Sequence, residues 1–235
     1  MKNISLKKFL FIILASSSLL LANALPNSIT TTISSISPNG NIQLSSKVPS
    51  GMSGIVVHNY GNGLSAITHS SISQGNGVAN LLPYTAILHK NIPNIQTEAQ
   101  VGDKVVFGNF YNNALLIAPN QNIYSRITKT YKRAWLHPDA YALDFMEEGE
   151  TTLSLESIQR FSKLNQVGLV LIVVPNRVLI LDPISKQYLG AIPIQTDEKN
   201  AMAPFFARFK QMDVSAFGFS SNTYPPYYQS VAGLK

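Results

Sequence analysis

Apolar and polar residues alternate through much of the first half of this chain, then give way to helical spacing and solid apolar runs in the second half. Residues 34–37 and 41–44 alternate on either side of Pro38-Asn39-Gly40. Proline presets φ and the next two residues accept positive φ, so this pattern predicts a β-hairpin. Residues 54–60, 66–72 and 78–82 predict three further strands, separated by Gly61-Asn62-Gly63 and Gly75-Asn76-Gly77. Both tripeptides read as turns, because neither leads into a helix with the Lys and Ser/Thr pair of a phosphate loop. Gly102-Asp103 sets another turn ahead of the β-branched run 104–107. The stretch 34–110 therefore reads as all-β, with glycines at the turn spacing of a small barrel.

The second half changes character. Residues 114–118 form a continuous apolar strand ended by Pro119-Asn120, and 123–131 has helical spacing that Asn120 or Asn122 can cap. His137-Pro138-Asp139 can open a helical turn running through Ala140, Leu143 and Asp144. A clearer helix spans 154–163, with Leu155, Ile158, Phe161 and Leu164 as an apolar stripe expected to lie on a sheet, and Glu156 to Arg160 as an i, i+4 ion pair. Residues 168–174 are apolar throughout, which suits a strand covered on both faces, and 177–181 and 188–194 extend that sheet across turns at Pro175-Asn176 and Asp182-Pro183. The tail is aromatic, with Phe205, Phe206, Phe209, Phe217, Phe219, Tyr224, Tyr227 and Tyr228, and core packing accounts for most of these. The expected fold is α+β: a β-rich, barrel-like first half followed by a mixed α/β layer. The expected division is 1–24 as a leader, 25–112 as a β-rich subdomain and 113–235 as a mixed α/β subdomain with an aromatic C-terminal segment.

The first 24 residues have the layout of a secretory signal peptide: Lys2, Lys7 and Lys8, an apolar stretch over 9–21, then Ala22-Asn23-Ala24. Small residues at Ala22 and Ala24 place cleavage after Ala24. The apolar run falls short of the roughly 20 residues that span hydrocarbon, so no transmembrane span is expected after cleavage. The protein is then exported to the periplasm, outer envelope or cell surface, where peripheral association with the envelope is allowed. It has no cysteine, which excludes acylation at a lipobox thiol, structural disulfides and thiolate metal sites. A mature chain of this size stands on packing alone. Three of the 18 basic residues and none of the 12 acidic ones fall in the leader, so the mature part carries 15 against 12, near +3. That is too little for a nucleic-acid footprint, and Lys129, Lys132 and Arg133 read as a solvated helix face.

Catalytic chemistry finds little support. The histidines at 58, 69, 89 and 137 show no local metal spacing, so neither a metal nor a cofactor is expected. No Gly-x-Ser-x-Gly elbow occurs, and Ser-x-x-Lys at Ser5 to Lys8 lies in the leader. Asp144, Glu147, Glu148 and Glu150 read as a solvated acidic loop. An enzyme would announce itself by a pocket gathering His137, Asp139 and Asp144 around a shifted carboxylate. The reading is of a non-catalytic protein.

Several segments carry a resemblance: Gly102-Asp103 through Phe107, Phe110, Asn112-Asn113-Ala114, and Leu116-Ile117-Ala118-Pro119-Asn120 with Tyr124. Further on come Val167-Gly168 with Ile172-Val173, Pro204-Phe205-Phe206 with Arg208, and Tyr224 with Tyr227-Tyr228. Together they resemble the N-terminal domain family of bacterial plasminogen-binding proteins across most of the mature chain. The resemblance implies surface exposure and capture of host plasminogen by lysine recognition. In that mode kringle modules take an ammonium and a carboxylate about one side chain apart, with aromatic rings on the methylene stem. A terminal lysine carries both charges, which makes Lys235 the candidate contact, with Ala232-Gly233 expected to leave the end mobile. The competing expectation is an envelope structural or assembly protein that binds another bacterial component.

Overall fold

The computed structural model describes residues 25–85, 91, 94–196, 200–208 and 226–234. The leader with Ala22 and Ala24, together with His89, Phe209, Phe217, Phe219, Tyr224 and Lys235, lies outside the described residues.

Six strands close into a barrel: β1 (Ile29–Ile36), β2 (Asn41–Leu44), β3 (Ser53–Gly61), β4 (Leu64–Gly75), β5 (Val78–Pro83) and β6 (Lys104–Phe107), in the order β1-β2-β5-β4-β3-β6. Every pairing is antiparallel, and β1 meets β6 from Ile29↔Phe107 to Thr32↔Lys104 to complete the ring. Closure leaves no unpaired barrel edge to recruit other chains. The turns fall where the sequence puts them. Gly40 and both Gly-Asn-Gly tripeptides hold positive φ throughout, which glycine and asparagine accept most readily. Ile33, Ile42, Val56, Val105 and Phe107 fill the interior. Gly54 faces Phe107 across β3 and β6, and a Cβ there would stand 2.6 Å from the Val106 carbonyl oxygen, so the close strand approach excludes a side chain.

The second half is a five-stranded sheet in the order β11-β10-β9-β7-β8, built from β7 (Asn113–Ile117), β8 (Ala134–Leu136), β9 (Leu169–Val174), β10 (Arg177–Asp182) and β11 (Gln187–Pro193). β7 runs parallel to both β8 and β9, and β9, β10 and β11 form an antiparallel meander. Among the described residues the helices are α1 (Gln121–Thr130), α2 (Pro138–Glu147), α3 (Leu155–Leu164) and the short α4 (Tyr227–Ala232). Every residue of β9 is buried, as its unbroken apolar run predicts. Asn120 caps α1 by accepting from Ile123 N–H, and Ser154 caps α3 by accepting from Ser157 N–H.

Three details of the helices differ from expectation. Residues 144–148 belong to α2 and its cap rather than to a solvated loop. Arg160 ignores Glu156 and instead holds Asp144 at 3.0 Å, Glu148 at 3.0 Å and Glu150 at 2.8 Å, while Glu156 pairs with Lys186. Docking α3 beside α2 brings three carboxylates to one guanidinium, which outcompetes a single exposed pair along the helix. The third difference is Leu164, which is 72 % exposed. A repeat of three residues drifts against the helical period, so nine residues carry Leu164 to the opposite side from Leu155.

The two halves share one apolar core and one buried carboxylate. Asp182, fully buried at the end of β10, accepts at one oxygen from Ser53 N–H (2.8 Å), Ser53 Oγ (2.7 Å) and Tyr111 OH (2.7 Å). Its other oxygen accepts from Ile184 N–H (2.9 Å) and Ser185 N–H (3.0 Å) in the turn that follows. The same aspartate therefore closes the β10–β11 turn and fastens the start of β3 to the sheet. Burial and the neighbouring Asp182 charge push the Tyr111 hydroxyl far above its ordinary pKa, so it remains a donor.

Candidate functional site

Two of the sequence motifs that carry the family resemblance, Leu116 to Asn120 and Pro204 to Arg208, meet at one end of the sheet. β7 runs through Ala114 to Ile117 fully buried and stops at Pro119, which cannot continue a ladder. Its terminal carbonyls need donors, and two distant segments supply them. Phe206 N–H donates to Ala118 O (2.8 Å), Met202 N–H to Pro119 O (2.7 Å), and Tyr227 OH to Ile117 O (3.0 Å) and Val173 O (2.7 Å). Leu-Ile-Ala-Pro-Asn and Pro-Phe-Phe-x-Arg are thus two sides of one contact.

Aromatic packing extends that contact. Phe205 stacks on Tyr141 of α2 with centroids 5.2 Å apart and planes 7° from parallel, and Tyr141 also meets Phe161 of α3. Phe206 packs on Tyr124 of α1 and on His137. Arg208 then turns out to Asp139, donating Nε at 2.6 Å and its backbone N–H at 2.8 Å. His137 Nδ1 caps α2 by accepting from Asp139 N–H at 3.2 Å. Burial holds His137 below its ordinary pKa against the pull of Asp139. Burial alone would raise Asp139, but the Arg208 hydrogen bonds and the charges of His137 and Arg208 hold it below the usual carboxylate range.

This arrangement is not the pocket an enzyme reading requires. His137 and Asp139 do come together, but the histidine nitrogen facing the aspartate is engaged in capping and both Asp139 oxygens are taken by Arg208. Asp144 stands apart with Arg160, where burial raises its pKa against the guanidinium and Glu148 and Glu150 add to the rise. Among the described residues no three His, Asp or Glu side chains gather to hold a metal ion.

The C-terminal segment is anchored where mobility was expected. Tyr227, Val231 and Leu234 are buried in the core, and Tyr188 OH donates to Leu234 O. Helix α4 lies against β9, so Ala232 and Gly233 sit between fixed neighbours instead of forming a loose end. The residues that sequence reasoning missed are Asp182 and Tyr111 at the junction. An aspartate ending the apolar run 178–181 and followed by proline and serine is the only local signal, and its partners lie 71 and 129 residues away.

Over residues 28–232 the chain matches the family described as Plasminogen-binding protein pgbA N-terminal. The chain belongs to this family. It is 25% identical over 167 residues to Plasminogen-binding protein PgbA from each of two strains of Helicobacter pylori, across 68% of this chain and 36% or 37% of theirs. The chain therefore aligns with little more than a third of the length of those relatives. No solved structure matches. The pgbA family is named for binding a protein and not for a reaction. Among the described residues no helix is long and apolar enough to cross a membrane.

Proposed function

We propose that this chain is an exported, non-catalytic envelope protein that captures host plasminogen, with Lys235 as the contact for a kringle lysine pocket. The observation that carries the reading is the pgbA family match across residues 28–232. Export rests on the leader pattern and the small residues Ala22 and Ala24, and it leaves periplasm, outer envelope and cell surface as destinations. Because Leu234 is seated in the core, a pocket that takes Lys235 has to reach an anchored segment, and binding is expected to strengthen when α4 is loosened. The test is binding of residues 25–235 to immobilised plasminogen, with a free lysine analogue as competitor and a variant lacking Lys235 alongside. Competed binding that falls at least tenfold on deletion supports the reading. Binding that survives both the competitor and the deletion overturns the role of Lys235, and no binding at micromolar protein overturns plasminogen capture.

The anchored end favours a second reading, an envelope structural or assembly protein that binds another bacterial component. Crosslinking in intact cells separates the two: recovery in a discrete envelope complex, without plasminogen binding, supports this reading.

A further inference from the structure

The barrel is fastened to the sheet at the end where β3 begins: Ser53 donates to Asp182, and Ser185 Oγ donates to Gly51 O at 2.6 Å. The strand register fixes what lies at the other end. β1 pairs with β6 as far as Thr32↔Lys104 and runs on to Ile36, and β3 pairs with β6 as far as Val57↔Lys104 and runs on to Gly61. The pairs His58↔Ala66, Asn59↔Ser65 and Gly61↔Leu64 stand beyond His69↔Pro83, where β5 stops. The tips of the β1–β2 and β3–β4 hairpins and the turn at Gly102 therefore share the distal end of the barrel, away from the fastening. A Cβ on Gly40, Gly61, Gly63 or Gly102 would meet no atom within 4 Å, whereas one on Gly51 at the fastened end would stand 3.0 Å from Gln187 of β11.

This distal end is apolar and nearly free of charge. Leu64 is 66 % exposed, Val101 63 %, Tyr60 48 % and Ile36 39 %. Neither 34–43 nor 58–67 contains Lys, Arg, Asp or Glu. Asp103 is buried, and its two oxygens face His58 Nδ1 (2.7 Å) and Gln100 N–H (2.8 Å). Lys104 and Glu98, one of each sign, are set back beside Val57 and His69. Two properties select the partner. Four apolar side chains on three short loops fall far below the roughly 20–30 residues a side of a stable protein interface, so a second copy or a folded partner gains too little area. Uncharged, projecting tips lose no ion hydration on leaving water, and a tyrosine among aliphatic side chains suits the boundary between lipid headgroups and acyl chains.

We propose that the distal end of the barrel docks on a phospholipid surface, with Leu64 and Val101 entering the acyl boundary and Tyr60 at headgroup depth. The envelope location proposed above supplies the setting on which this rests. Vesicle binding by the purified chain tests it apart from export and from plasminogen capture, since neither α4 nor Lys235 takes part.

The probe is sedimentation of residues 25–235 with vesicles of phosphatidylethanolamine and phosphatidylglycerol. Half-binding is expected at about 1 mM lipid, weaker than the roughly 0.1 mM of a single myristoyl chain, and little changed between about 0.1 and 1 M salt. Leu64→Ser and Val101→Ser should each weaken binding about five- to tenfold with an unchanged melting temperature. Leu64→Trp keeps the apolar contact and should retain binding, with its emission quenched by brominated acyl chains. In the unaltered protein the lone Trp135, in β8 of the sheet, should stay unquenched. Absence of binding at ten times that lipid, loss of binding at high salt, full binding in both serine variants, or an unquenched Leu64→Trp overturns the proposal. A lipid-free dimer that Leu64→Ser abolishes would make this end a contact between copies and overturns it as well.

Discussion

Asp182 shows what one side chain contributes at this junction. Its carboxylate answers five donors in a dry environment, and deleting it strands all five at once, whereas removing one donor leaves four. Asp182→Ala is therefore expected to cost about 3 kcal/mol or more, and Tyr111→Phe about 1.5–2, measured by urea unfolding. Equal costs would show that the Tyr111 hydroxyl accounts for nearly all that Asp182 contributes and that the other four donors add little. His137 gives a pH dependence with a definite sign. Its folded pKa lies below the unfolded value near 6.5, so the unfolded chain takes up the proton first. Stability contributed by neutral His137 is complete above pH 6.5 and is lost as pH falls from 6.5 through the depressed folded value. His137→Gln should flatten the melting temperature over that interval, and an unchanged slope would place the titration elsewhere.

Among the elements, the close approach of β9 to the barrel exit depends on a missing side chain. A Cβ on Gly168 would stand 2.3 Å from the Phe110 carbonyl carbon and 2.4 Å from its oxygen, both backbone atoms that cannot swing aside. Gly168→Ala should cost about 2 kcal/mol or more through forced strand movement. Gly63 in the β3–β4 turn has open space around it and only a positive φ to lose, so Gly63→Ala should cost about 1 kcal/mol. Thermal unfolding of the two variants checks the order, and a milder Gly168→Ala would mean the strand can shift. Helix α3 shows where one-dimensional reasoning ran short: Ser154 and the Ile158–Phe161 face were legible, but the partner of Arg160 was not. Three carboxylates reach it only after α2 and α3 pack side by side.

For the molecule as a whole, the barrel and the sheet are joined by a continuous core and by Asp182, so they should unfold as one cooperative unit. Calorimetric and van't Hoff enthalpies are expected to agree for residues 25–235, and Asp182→Ala is expected to separate them. Disagreement in the unaltered protein would mean that 25–112 and 113–235 melt independently. Most strands, the turns, the Asn120 and Ser154 caps and the barrel-like first half were written in the chain itself, because alternation, helical spacing and Gly-Asn-Gly or Asn-capped boundaries are local consequences of backbone sterics and side-chain period, whereas the three-residue β8 and the early start of β1 at Ile29 were not. Tertiary structure alone decided the rest. It closed β1 onto β6, brought Leu-Ile-Ala-Pro-Asn against Pro-Phe-Phe-x-Arg and anchored α4 through Leu234. Each of these depends on which donors and apolar faces meet across tens of residues, a matter of long-range packing and desolvation that no local pattern encodes.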